Sequence, residues 1–224
     1  MGAAIGDILG LAAGVAVSPL PIVAMILMLA TPQGRADGSL FGVGWLAGLA
    51  VLGAVVLLLA GPAGASDDGD QAAWTGWLKL LLGVLALLLA VRQWRSRPAP
   101  GAPAHMPRWM AGLDKLQPGG ALGLGALLSA ANPKNGGLTI AAAATIAGAG
   151  LAGGEQAVAL AVFVLIGSIG VLAPLIVYLV AGARAAETLD TWRTWAADHN
   201  AALVAVLFLV FGFKLVGDGI AVLF

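Results

Sequence analysis

The sequence predicts an all-α polytopic membrane protein with six transmembrane helices, arranged as two inverted three-helix repeats, with helices 1 and 4 broken at proline motifs. The prediction rests on the apolar composition, on six apolar windows of spanning length, and on the odd number of windows on each side of a basic central loop. Hydrophobic residues make up 60% of the chain and charged residues 10%. A soluble domain carries roughly a quarter charged residues, so the composition indicates a membrane protein.

Six windows reach the ~20 mainly apolar residues that a spanning helix needs. They cover approximately residues 3–30, 39–61, 74–92, 119–148, 155–181 and 201–224. The first window has no basic residue before its apolar run, and the run resumes after Pro21. We therefore interpret this window as a span and not as a signal peptide.

The positions of the basic residues predict the orientation of the chain. Eight of the 11 lysines and arginines fall in the connections after the first, third and fifth windows, and the stretch after the second window is acidic instead. We expect the protein in the inner (cytoplasmic) membrane of the cell. With six spans, this pattern places three basic loops in the cytoplasm and both termini on the outer side of that membrane. Arg184–Ala197, which contains Trp192 and Trp195, predicts a short amphipathic helix on the cytoplasmic face.

A proline-rich stretch at residues 98–103 predicts a stiff linker at the midpoint of the chain. It separates a first three-helix repeat (1–97) and a cytoplasmic linker loop (98–118) from a second three-helix repeat (119–224). Because three is odd, the second repeat must enter the membrane inverted. Ser18-Pro19 aligns with Asn132-Pro133 in such a repeat, and chance similarity between Leu/Ala/Gly-rich helices is the alternative.

Helix-breaking motifs interrupt two of the apolar windows. Ser18-Pro19-Leu20-Pro21 lies in the first window and Asn132-Pro133-Lys134-Asn135 in the fourth. Proline removes a backbone donor and frees carbonyl groups that protein or water must satisfy. We expect Pro19, Pro21 and Pro133 to be hinges between half-helices, whose N-terminal N–H groups favour anions, and we expect the substrate site between the two breaks.

Charges inside the apolar windows are candidate functional groups, since a charge at the bilayer centre costs about 3 kcal/mol on insertion scales. Lys134 has no carboxylate near it in sequence, so it either loses its charge or binds an anion, and we expect an anion. Lys214 lies one helical turn from Asp218, and the two either neutralise each other or act separately, Lys214 on the substrate and Asp218 in proton coupling. Lys79 either snorkels to the outer interface or contacts the substrate. Asp7 is a further candidate for a charge pair or a proton site.

The predicted substrate site combines polar groups at the two breaks with lysines towards the outside: Lys134, Asn132, Asn135, Ser18, Lys79 and Lys214. Thr139, Thr145 and Ser168 carry less information, because hydroxyls in membrane helices mostly bond back to their own helix. The chain has no cysteine, and its two histidines are far apart, so we expect no metal and no cofactor. No nucleophile–base pair is visible, so we expect no enzyme activity.

These motifs resemble those of the lysine exporter (LysE) superfamily, and the whole chain resembles one branch more closely, the GAP or Sap proteins, described as peptidoglycolipid- or sulfolipid-addressing. The likeness rests on residues 16–22, on residues 131–135, and on residues 79–83 followed by Arg92-Gln93-Trp94. It implies export or translocation across the inner membrane with envelope glycolipids as cargo. Ser18-Pro19-Leu20-Pro21 stands where amino-acid exporters tend to carry Pro-Gly-Pro, which puts small amino acids in doubt as substrates.

The leading hypothesis is a secondary transporter or flippase that exports an anionic amphipathic or lipid-linked cell-envelope precursor. The alternatives are an exporter of a small polar solute, such as an amino acid or ion, and a non-transporting scaffold for a larger lipid exporter. A cation exporter should carry a carboxylate beside the breaks, and none lies there. Expected partners are an anionic lipid or glycolipid and the membrane lipids, with a homodimer and an envelope lipid exporter or synthase as further candidates. No nucleic acid is expected.

Overall fold

The computed structural model describes residues 1–63, 69–96 and 118–223. Every regular element in these ranges is a helix. Three of the helices are long and apolar enough to cross a membrane, or four if the bent first pair counts as one span. The all-helical, multi-pass character predicted from the sequence is thereby confirmed. Apart from Pro118, the predicted linker loop at 98–118 lies outside the described residues.

The helices follow the apolar windows in chain order. They are α1 (Gly2–Ala16), α2 (Pro19–Leu29), α3 (Gly34–Ala63), α4 (Gly69–Arg95), α5 (Pro118–Ala126), α6 (Pro133–Gly148), α7 (Gly153–Ala181) and α8 (Ala185–Leu223). A π-helical turn at Leu127–Ala131 follows α5, and a 3-10 turn at Gly182–Arg184 precedes α8.

The first predicted interruption separates α1 from α2 by a bend of 50°. After α1 ends at Ala16, Ser18 is extended, with φ −111° and ψ 95°, and Pro19 is the first residue of α2. Proline is tolerated at this position because a helix leaves its first N–H groups without an internal partner. The sequence Ser-Pro-Leu-Pro therefore ends one helix and starts the next, as predicted.

The second interruption has the same local chemistry. Asn132 follows the π-helical turn and is extended, with φ −66° and ψ 121°, and Pro133 is the first residue of α6. The Asn132 side chain caps α6 by accepting a hydrogen bond from the backbone N–H of Lys134 at 3.0 Å, which satisfies one of the donors left free at a helix start. This interruption also lies where the sequence predicts it.

The described residues form two compact units. The first contains residues 1–63 and 118–197, and the second contains residues 69–96 and 198–223. Each unit includes residues from both predicted repeats. A grouping by contacts does not test an inverted repeat, so the repeat boundaries stay a prediction.

One predicted element differs from the structure. The short amphipathic helix expected at Arg184–Ala197 is not a separate element, because from Ala185 onward it is continuous with the sixth apolar window in α8. No glycine or proline occurs between residues 185 and 211. With no helix-breaking residue in that range, the polar first turns extend directly into the apolar part.

Close helix packing in the first unit depends on glycine. In this unit α3 packs against α5, α6 and α7, and α1 packs against α6 and α7. A Cβ at Gly44 would collide with the carbonyl oxygen of Leu122, and one at Gly125 with that of Phe41. Small residues permit such approach in membrane bundles, where van der Waals packing replaces the hydrophobic effect as the driving force.

Candidate substrate-binding site

The two interruptions meet in the first unit, so that side chains 117 positions apart are in contact. Ser18 Oγ donates a hydrogen bond to Asn135 Oδ1 at 2.7 Å. Lys134 Nζ donates to Ser18 Oγ at 2.7 Å and to the carbonyl oxygen of Val17 at 3.0 Å. These three bonds tie the start of α2 to the start of α6, and we call this cluster the crossing.

Proline explains why the Val17 carbonyl needs a partner from another helix. In an uninterrupted helix this carbonyl would accept a hydrogen bond from the N–H of residue 21. Pro21 has no N–H. Lys134 Nζ takes the position of the missing donor, which places a charged group where an ordinary helix would have a peptide N–H.

A second carbonyl is freed on the other side of the crossing. The N–H of Asn132 bonds to the carbonyl of Leu127 at 3.1 Å in the π-helical turn and leaves the carbonyl of Leu128 without its usual backbone donor. Asn135 Nδ2 donates to that carbonyl at 3.0 Å. Adjacent residues at the start of α6 therefore satisfy both carbonyls, one on each broken helix.

Burial separates the roles of the three side chains. Ser18 is 2% exposed and Asn135 0%, whereas Lys134 is half-buried. An ammonium group has three N–H donors, and two of those of Lys134 are occupied. Among the described residues, no carboxylate lies within ion-pair distance of Lys134. Lys134 is therefore the member of the crossing that can accept an anionic ligand.

Glycines allow neighbouring helices to close around the crossing. A Cβ at Gly48 of α3 would collide with Ser129 Oγ, and a Cβ at Gly170 of α7 would collide with the carbonyl oxygen of Ala16. Ser129 is fully buried and donates to the carbonyl of Ala126 at 3.0 Å. The crossing is thus enclosed by α3 on one broken helix and by α7 on the other.

The remaining predicted site residues do not all join the crossing. Asn132 acts as the cap of α6 described above, and Asp7 is exposed on α1. Lys214 Nζ forms an ion pair with Asp218 at 2.8 Å, which is the contact that mutual neutralisation of these two residues requires. Lys79 belongs to α4, but its side chain lies outside the described part of the structure.

The less informative hydroxyls behave as the sequence predicts. Thr139, Thr145 and Ser168 donate to carbonyls four residues earlier, at distances of 2.8, 2.9 and 2.6 Å. Within the described residues, no group of three or more metal-ligating side chains is present.

Two features of the first unit had no recognised signal in the sequence. Asp37 is only 5% exposed. Thr31 Oγ1 shares its one hydrogen between the Met28 carbonyl at 2.8 Å and Asp37 Oδ2 at 3.2 Å, and Asp37 Oδ1 has no partner within the described residues. The second feature is a cavity of about 520 Å³ at the end of α2, lined in part by Arg35 and Arg193. In the sequence, Arg35 and Arg193 indicate only topology, and only tertiary contacts bring them to one cavity.

A comparison with protein families gives a match over almost the whole chain. The family described as "Sap, sulfolipid-1-addressing protein" matches residues 8–221, a range that includes both interruptions. The chain belongs to this Sap family. No curated protein and no solved structure matches it.

In this Sap-family protein, the matched range contains the whole crossing and every residue that lines the cavity. The resemblance to Sap proteins predicted from the sequence is therefore confirmed at the level of the family. Membership of the wider LysE superfamily stays a prediction.

Proposed function

We propose that this Sap-family protein is an integral membrane transporter or flippase that exports an anionic amphipathic or lipid-linked cell-envelope precursor across the inner membrane. The description of the family refers to addressing of a sulfolipid, and a sulfated lipid is one cargo of this chemical class. The observation that carries the proposal is Lys134, a charged donor where two broken helices meet, with no carboxylate at ion-pair distance in the described residues.

The electrostatics of the crossing favour an anion. Both α2 and α6 begin there, and the N-terminus of a helix carries a partial positive charge of about half an elementary unit. The neutral oxygens of Val17 and Ser18 offset only part of the cost of placing an ammonium group within a bilayer. An anionic headgroup that binds Lys134 would supply the missing counter-charge.

Ligand binding and helix movement are coupled in this proposal. The headgroup first bonds the N–H of Lys134 that the crossing does not use. Its negative charge then draws the ammonium group away from the Val17 carbonyl and the Ser18 hydroxyl, so binding loosens the tie between α2 and α6. Pro19, Pro21 and Pro133 then act as hinges. We place the crossing in a six-span arrangement of two inverted repeats with both termini outside, in which one repeat rocks against the other.

Transport in vesicles tests the proposal. Purified protein is reconstituted with a fluorescent sulfated glycolipid or fluorescent phosphatidylglycerol, and the transfer of the label between leaflets is measured. Wild-type protein should translocate the label, and Lys134→Ala should lower the rate by at least about tenfold, since a charge-assisted hydrogen bond contributes roughly 1.5–3 kcal/mol. Thr145→Val is the matched control, because Thr145 bonds only within α6.

Two outcomes would contradict the proposal at different levels. An unchanged rate for Lys134→Ala would remove Lys134 from the site. A wild-type protein that moves no lipid would refute the flippase activity; if cells without the gene also accumulate a solute and keep their surface lipids, an exporter of a small solute becomes the better explanation.

A further inference from the structure

The cavity at the end of α2 has the composition of a site for an amphipathic molecule. Its volume of about 520 Å³ lies within the range of small-molecule sites, roughly 300–1,000 Å³. One part of its wall is apolar and comes from Ile26, Leu27 and Leu29 of α2 and Leu179 of α7. Its polar lining comes from Arg35 of α3, Tyr178 of α7, and Asp190 and Arg193 of α8.

The polar part carries net positive charge. Arg35, Asp190 and Arg193 line it together with Tyr178, so two guanidinium groups face one carboxylate. Arg193 is already paired with Asp190 at 2.5 Å, whereas Arg35 is exposed. Guanidinium groups bind phosphate and sulfate with paired, charge-assisted hydrogen bonds. Charge complementarity therefore favours an anionic headgroup beside an apolar chain.

The position of the cavity matches the level of lipid headgroups. Arg35 and Arg193 belong to the connections that the charge pattern assigns to the cytoplasmic side. Trp192 and Trp195, exposed by 37% and 53% on the same turns of α8, are residues typical of a membrane interface. At Gly182 the chain leaves α7 with φ +55°, a backbone conformation that favours glycine, and turns into α8 beside the cavity.

A continuous element connects this cavity with the crossing. α2 begins next to Ser18 at the crossing, and its last turn, residues 26–29, lines the cavity. At 1.5 Å per residue these points are about 16 Å apart, close to half of the ~30 Å thickness of the hydrocarbon core. The two sites thus lie at the two ends of one half-helix.

We propose that this cavity binds the phosphate or sulfate headgroup of a lipid in the cytoplasmic leaflet and is the first station on the path to the crossing; the role on this path rests on the proposed function. Arg35 and Arg193 hold the headgroup, and the apolar wall holds the start of the acyl chains. Asp190 competes with the headgroup for Arg193 and so lowers the affinity.

Lipid binding to the purified full-length protein in detergent tests the site, with fluorescent phosphatidylglycerol, a sulfated glycolipid and zwitterionic phosphatidylcholine as probes. Arg35→Gln and Arg193→Gln should each weaken binding of the two anionic lipids by about tenfold and leave phosphatidylcholine unaffected. Arg184→Gln is the control, an exposed arginine next to α8 that does not line the cavity. Asp190→Asn should strengthen binding by up to about fivefold, a gain that misfolding cannot produce.

The outcomes separate this inference from the proposed function. Equal losses for Arg184→Gln and Arg35→Gln, or no gain for Asp190→Asn, would reduce the effect to general surface charge and overturn the site. Competition by sodium sulfate or phosphate as strong as that by the lipids would assign the cavity to a free anion. If Arg35→Gln/Arg193→Gln transports lipid at the wild-type rate and Lys134→Ala does not, the cavity is refuted and the proposed function stands. If the protein binds anionic lipids selectively but transports none, the cavity is a lipid site and the proposed transport function is refuted.

Discussion

At the scale of single residues, α6 supplies side chains that repair both broken helices. Lys134 bonds the carbonyl that Pro21 leaves free, and Asn135 bonds the carbonyl released by the π-helical turn. Asn135 Oδ1 also accepts a hydrogen bond from the Ser18 hydroxyl. A buried polar group without a partner is costly. Both the oxygen and the nitrogen of the Asn135 amide are bonded within the crossing, whereas the half-buried Lys134 has one N–H donor beyond its two bonds there.

Asn135→Ala should therefore destabilise the protein. The substitution leaves the buried Leu128 carbonyl and Ser18 hydroxyl with one hydrogen bond fewer each, which costs about 1–3 kcal/mol. Hydrogen bonds between membrane helices contribute less than this on average, so we expect a loss towards the lower end of the range. The free energy of unfolding in mixed detergent measures the loss. Thr145→Ala, which removes a hydroxyl that bonds within its own helix, is expected to change it by less than about 0.5 kcal/mol. Equal stability of the two variants would contradict the prediction.

Lys134→Gln distinguishes structural repair from anion binding. Glutamine keeps an N–H donor for the Val17 carbonyl but has no charge. We expect stability within about 1 kcal/mol of the wild type together with transport at least about tenfold slower. Stability is read from detergent unfolding and transport from the vesicle assay. If transport survives in this variant, the charge is dispensable and the lysine is only a structural donor.

At the scale of elements, glycine determines where helices touch. The contact between α3 and α5 places Gly44 and Gly125 against backbone carbonyl oxygens of the opposite helix. A backbone oxygen cannot move aside as a flexible side chain can. The π-helical turn that follows α5 places Ser129 against Gly48 of α3, so the packing of α3 on α5 continues into the packing around the crossing.

Gly125→Ala should destabilise the bundle, because its new methyl group would collide with the carbonyl oxygen of Phe41. Overpacking of this kind costs about 1–3 kcal/mol. Gly123→Ala lies on the same short helix with no atom within 4 Å of the added Cβ, so it should be neutral or slightly stabilising through helix propensity. Thermal unfolding of both variants measures the difference, and equal loss in the two would argue against close packing at Gly125.

At the scale of the whole molecule, the order of the basic connections along the chain and the packing of the helices group the residues differently. The connections rich in arginine and lysine follow the first, third and fifth apolar windows. Each compact unit nevertheless includes residues from both halves of the sequence. Residues of the two predicted repeats, 1–97 and 119–224, therefore pack together within each unit, although the repeats follow one another in the sequence.

Cysteine labelling tests the proposed orientation without background, because the chain contains no cysteine. Gly2→Cys, Ala36→Cys and Thr188→Cys are single substitutions at exposed positions. A membrane-impermeant maleimide added to intact cells or spheroplasts should label position 2, and it should reach positions 36 and 188 only after the membrane is opened. The reverse pattern would place position 2 in the cytoplasm and the cavity on the outer side.

A large part of the site follows from local chemistry that can be read along the chain. Two prolines within three residues, at positions 19 and 21, predict a helix interruption, and Pro21 has no N–H to donate to the carbonyl of Val17. The composition and the lengths of the apolar windows similarly indicate a helical membrane protein. The sequence does not show which side chain bonds each freed carbonyl. Ser18 and Asn135 are separated by 117 positions, and hydrogen-bond pairing over such a distance depends on how helices pack.

The sequence by itself determined the helical membrane class, the two interruptions and the isolated charge of Lys134, since each depends on residues within one or two turns. Only the tertiary structure decided that the interruptions meet, that Lys134 substitutes for a missing peptide N–H, and that Arg35 and Arg193 line one cavity. These are contacts between distant segments. Side-chain shape and glycine-dependent approach select such contacts from many alternatives, and no local pattern encodes that choice.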